Sequence, residues 1–247
     1  MRRRDFLGGA LAALTSRRAF AMGEEAELDI GEIQLSSGTL SRPQAWTRLL
    51  FEMVQTTAVE TNPRVIQLEP DDPALFRHPF AVLVGDGALP LLSDAAASQL
   101  GRYLAYGGFL FIDDASGVSD SPFDASVRQL IARVFPTRPL AVLPTDHSVY
   151  RSFFLLRQPM GRVAIHRVLE GVAQGSMNPL MYGRDDLSGA LDRDVAGRDL
   201  NPCTPGGEDQ RSEAMKLAIN LMMYALTSNY KHDQAHVKQL MEDGRLE

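Results

Sequence analysis

The chain has 247 residues, with 25 Lys and Arg, 31 Asp and Glu, one cysteine, 45% hydrophobic and 23% charged content. Those are the proportions of a soluble globular protein, one large domain or two small ones, long enough to bury a core without disulfide staples or a structural metal. The net charge of −6 argues against a nucleic-acid binder, which needs a surplus of Lys and Arg on one face, and a lone cysteine excludes both a disulfide framework and a Cys-rich zinc site.

Residues 1–21 read as a targeting segment. Arg2-Arg3-Arg4 precede Asp5-Phe6-Leu7, a brief apolar run follows from Gly8 to Leu14, and Ala19-Phe20-Ala21 supplies an A-x-A cleavage pattern. Arg3-Arg4-Asp5-Phe6-Leu7 fits the twin-arginine pattern, so the expectation is a twin-arginine signal peptide, the Tat translocon as partner in export, and a periplasmic location. The apolar run is far shorter than the roughly 20 residues that cross a bilayer, and no permanent membrane span is expected.

Residues 27–228 read as a single α/β domain. Asp29 to Leu35 forms a first strand. Ser41-Arg42-Pro43-Gln44 reads as a capping box that opens a helix with Trp46, Leu49, Leu50 and Met53 on its core face. Val65–Leu68, Phe80–Val84, Phe109–Ile112 and Leu140–Leu143 are short apolar strands, the longer ones continuous enough to be buried on both faces. Between them, Ser93 caps a helix that Gly107-Gly108 stops, and Ser121-Pro122 or Asp124 opens another. A short helix through Phe153-Phe154, a strand at Val163 to Ile165 and a further strand at Pro179–Tyr182 are expected. Residues 185–209 look like one irregular insertion before the last core helix, whose stripe is Ala214, Leu217, Ala218, Leu221 and Met222. Residues 229–247 read as a polar helical tail. Strands alternating with helices give a doubly wound, mostly parallel sheet, with ligands expected beyond the carboxyl ends of the strands.

Four of those strands end in acid: Asp86, Asp113 with Asp114, Asp146 beside His147, and Asp185 with Asp186. In a parallel sheet they gather along one edge, where carboxylates can hold a divalent cation, bind a sugar or a cationic ligand, or merely cap turns. His147, amid Asp146, Tyr150 and Arg151, is the leading candidate for a general base, oriented by Asp114 or Asp185; it serves equally as a helix cap. His78 and His166 read as surface residues, and His232 with His236 as a solvated helical pair. Cys203 lies in a loop, not on a nucleophile elbow, and Ser116 lacks the G-x-S-x-G frame.

Gly107-Gly108-Phe109-Leu110-Phe111-Ile112-Asp113-Asp114, then Phe123-Asp124, Phe135-Pro136, Leu143-Pro144 with His147 and Tyr150, Glu170-Gly171, and Tyr182 with Asp185-Asp186 resemble the bacterial domain of unknown function family 4159 over roughly residues 27–228. The resemblance implies a flavodoxin-like sheet similar to class I glutamine amidotransferases and an exported or membrane-tethered protein with a role in envelope assembly. Glutaminase chemistry itself needs an activated cysteine on an elbow, which Cys203 does not supply.

Taken together, the expected function is that of a non-catalytic ligand-binding or assembly module of the cell envelope, its partner an envelope protein or a small-molecule or saccharide ligand, with Asp113, Asp114, His147, Tyr150, Arg151, Asp185 and Asp186 as the ligand edge. The alternative is a hydrolase of a saccharide or other envelope substrate, with His147 as base and Asp113 or Asp114 as its orienter or as ligand to a divalent cation. A third reading leaves the acidic edge as capping alone. No cofactor is expected beyond that cation.

Overall fold

The computed structural model describes residues 28–242, and the side chains as far as residue 227; the expected signal peptide lies outside the described residues. Seven strands form one sheet in the order β2-β1-β3-β4-β7-β6-β5. They are β1 (Leu28–Ile33), β2 (Thr61–Leu68), β3 (Phe80–Gly85), β4 (Phe109–Asp114), β5 (Leu140–Val142), β6 (Leu169–Gln174) and β7 (Met177–Gly183). The pairs β1–β2, β1–β3, β3–β4 and β4–β7 are parallel, whereas β6 runs antiparallel to both β5 and β7. The first four strands in the order 2-1-3-4 reverse direction of winding at β1, the arrangement of a flavodoxin-like sheet.

The continuous apolar runs explain the burial. Alternate residues of β3 and β4 feed opposite cores: Phe80, Val82, Phe109 and Phe111 meet α1 (Pro43–Thr56) and α5 (Gly207–Glu242) on one face. Ala81, Leu83, Leu110 and Ile112 meet α2 (Asp94–Ala105) and α3 (Pro122–Val134) on the other. Two covered faces leave no polar position in β3 or in β4 before its terminal Asp113-Asp114, which is why neither alternates.

Several local expectations change. The capping box does not form: Arg42 is the N-cap of α1 and no side chain caps it, because the Ser41 hydroxyl donates instead to Glu32 Oε2 at 2.6 Å. Ser93 and Ser121 do cap α2 and α3. Apolar Leu140–Leu143 is not a core strand; β5 is a three-residue edge with Val142 58% exposed, since Pro139 and Pro144 leave no room to lengthen it. The segment Val163–Ile165 is bend, and the helix through Phe153-Phe154 is a 3₁₀ turn earlier, at Ser148–Arg151. The strand that actually precedes β7 is β6, whose Glu170-Gly171 breaks the apolar pattern. His78 is buried rather than on the surface, its Nδ1 2.5 Å from Asp29 Oδ1. Within the expected irregular insertion lies one short helix, α4 (Leu187–Leu191), and the tail continues α5 as helix to Glu242.

The loop after β1 crosses the end of β3. Leu40 N–H donates to Val84 O at 2.8 Å and Asp86 N–H to Gly38 O at 3.3 Å. This crossing requires glycine at both contacts: Gly38 has φ +77°, and a Cβ on Gly85 would overlap the Phe123 ring and Gly38 O.

Candidate functional sites at the strand ends

Strands β4 and β7 are neighbours, so Asp113, Asp114, Asp185 and Asp186 do converge, as their place at strand ends implied. Each carboxylate is already committed. Asp113, fully buried, accepts the N–H groups of Leu187 at 2.9 Å and Ser188 at 2.7 Å at the start of α4. Asp186, also fully buried and at φ +54°, takes both Arg42 and Arg162 as ion partners and accepts Gly189 N–H at 3.0 Å. Asp185 collects the amides of Ile165, His166 and Arg167 at 3.2, 2.9 and 2.7 Å, and His166 Nδ1 lies 3.1 Å away, which takes that histidine off the open surface. Asp114 accepts Ser116 N–H at 3.0 Å in a tight turn and faces the Tyr182 hydroxyl at 3.5 Å.

The electrostatics follow from this packing. Burial first, and then the charge of Asp186, push the Asp113 carboxyl up to about 6, while the Ser188 hydrogen bonds and Arg42 pull the other way. Burial works against the Arg42 charge, but Asp186 and Asp113 outweigh it and its pKa rises. Burial and then Asp114 raise the Tyr182 phenol. Glu32 joins the same end, fully buried, accepting Arg42 N–H at 2.8 Å. A cavity bordering Asp113 holds about 10 Å³, at the limit for one water. Among the described residues no three His, Cys, Asp or Glu side chains are grouped as a metal site requires, and the oxygens of Asp113 and Asp186 already accept amides or guanidinium groups.

His147 is elsewhere. Its Nδ1 accepts Val149 N–H at 3.2 Å as cap of the 3₁₀ turn, and its Nε2–H donates to Asn178 Oδ1 at 3.0 Å. Asn178 starts β7, roughly 16 Å along the strand from the acidic end, so neither Asp114 nor Asp185 orients this imidazole. Tyr150 is buried and its hydroxyl accepts Leu169 N–H at 3.4 Å; burial raises its pKa. Arg151 is exposed on the 3₁₀ turn. Asp146 is exposed beyond the edge strand, and Asp86 is exposed at the end of β3. Cys203 is buried, with its thiol pushed up by desolvation, which fits a structural thiol.

A different cleft stands open. Beyond β1, β2 and β3, where the winding reverses, a cavity of about 360 Å³ is lined by Gln34, Ser36, Glu69, Asp71, Leu91 and Ser93, among others. Glu69 and Asp71 are exposed, and among the described residues no Lys, Arg or His lines the cavity. A family model for a domain of unknown function, DUF4159, matches residues 29–226. The chain belongs to that family. A search of curated proteins finds no match. The DUF4159 match spans the whole sheet, the acidic end and the open cleft alike.

Sequence reasoning missed Arg42, Arg162 and Glu32 as parts of the acidic end. One signal existed: a cation immediately before helix α1 opposes the helix dipole, so Arg42 needed an anion nearby. It also missed the cleft, because attention to acid-ended strands passed over the loops after β1 and β2.

Proposed function

We propose that this DUF4159 protein is an exported, non-catalytic ligand-binding module of the cell envelope. Support for export is the twin-arginine pattern at Arg3-Arg4. Support for binding is a single observation: the 360 Å³ cleft lies at the point where the sheet reverses its winding, the position where open α/β sheets take their ligands. Carboxylates and apolar side chains without cations suit a ligand that brings its own donors, such as an amino sugar or a lysine-bearing peptide from an envelope partner.

The hydrolase reading has less support, because His147 is bonded to Asn178 and is separated from Asp113 and Asp114. The test is a thermal-shift titration of the wild type and of a Glu69→Gln/Asp71→Asn variant, with an amino-sugar oligosaccharide and a trilysine peptide as probes. A saturable rise in Tm that the double variant loses supports the binding module. Hydrolysis of a glycoside by the wild type, lost in His147→Ala, would replace it with the hydrolase.

A further inference from the structure

Between His147 and Leu169 the sequence contains Arg151, Arg157, Arg162 and Arg167 and not one Asp or Glu, in a chain where acid outnumbers base by six. Arg162 is spent on Asp186. Among the described residues no ion pair engages Arg151, Arg157 or Arg167, and all three are exposed. Interleaved with them are exposed apolar side chains: Leu155 at 86%, Ile165 at 47% and Phe153 at 44%.

Hydrogen bonds from other elements tie this segment down at both ends. The Asn220 side chain of α5 accepts the amides of Phe153 and Phe154 at 3.2 and 2.7 Å, and donates to Val149 O and Phe154 O, both at 2.8 Å. The Tyr150 hydroxyl accepts Leu169 N–H, and Asp185 accepts the amides of residues 165–167. Phe154 and Leu156 point into the core, so strand-like alternation sends Phe153 and Leu155 outward. Phe153 lays its ring edge against Phe154, but Leu155, 86% exposed between Arg151 and Arg157, is not held outward by the domain's own packing.

We propose that the 151–167 excursion docks this protein on an anionic lipid surface, with Leu155 and Phe153 entering the interface and Arg151, Arg157 and Arg167 meeting the headgroups. Exposed guanidinium groups interleaved along the chain with exposed apolar side chains match the headgroup–acyl boundary. A fluid bilayer accepts exposed apolar side chains without a complementary pocket. The acidic remainder of the domain is repelled by the same surface, which orients the molecule with the excursion downward. This inference is independent of the ligand cleft.

The experiment is co-sedimentation of the full chain with phosphatidylcholine vesicles, with and without one quarter phosphatidylglycerol. The expected result is binding only to the anionic vesicles, weakened by salt. Leu155→Asp should lower the partition coefficient at least tenfold, and Arg151→Gln or Arg157→Gln roughly fivefold each, with Tm unchanged. In a Leu155→Trp variant the emission should shift to the blue on anionic vesicles, against the constant signal of buried Trp46. Absence of vesicle binding overturns the proposal. So does binding unaltered by these substitutions, which would come from another part of the chain such as its basic first residues, and so does capture of an acidic protein by the excursion without any lipid binding.

Discussion

The two ends of the strand edge are opposites built from the same residue type. Over β4 and β7, Asp113, Asp185 and Asp186 are buried and saturated by amides and guanidinium groups; over β1 and β2, Glu69 and Asp71 stand exposed around an open cleft. Buried carboxylates whose oxygens already accept amides and guanidinium groups hold a fold together, whereas carboxylates in water remain available to a ligand. An acid at a strand end therefore says nothing about function until its partners are known.

Removing one side of the buried network should have the largest effect. Asp186→Ala leaves Arg42 and Arg162 without their shared anion and should cost about 3–5 kcal/mol, read by urea denaturation. Asp113→Ala strands the Leu187 and Ser188 amides and should cost about 1–3 kcal/mol in the same assay. If either variant unfolds at wild-type urea, the acidic end is not structural and the contrast fails.

Asp113 also gives a pH signature. Its carboxyl is held near about 6 when folded, against about 3.9 in an unfolded chain. Between those values the folded state binds the extra proton, so its contribution is complete below about pH 4 and is lost as pH rises through about 6. Stability measured across that window should fall with rising pH in the wild type, and the fall should diminish in Asp113→Asn. His147→Ala should be milder, about 1 kcal/mol for a lost cap and one neutral hydrogen bond, with no change in ligand binding. Glu69→Gln and Asp71→Asn should shift stability by less than about 0.5 kcal/mol while altering the thermal response to amine-bearing probes; a Tm loss as large as that of Asp113→Ala would erase the distinction between the two ends.

The sequence by itself determined the alternating elements, the buried character of β3 and β4, the serine cap of α2 and the presence of acids at the ends of β4 and β7; that those acids gather follows only from the pairing of β4 with β7. The first four follow from local rules: periodicity, capping chemistry and the polarity of parallel strands. Tertiary structure decided the rest. Whether Leu140–Val142 lies in the core or at an edge depends on which strands flank it, and β6 took the inner place. Whether Ser41 caps α1 depended on Glu32, nine residues earlier and on another element. His147 neighbours Asp146 in sequence yet bonds to Asn178, and Asp186 finds Arg42 at a separation of 144 residues. Hydrogen bonds and ion pairs act over a few ångströms of space, so the partners that turn a carboxylate or an imidazole into a cap, a clasp or a ligand are chosen only when the chain has folded.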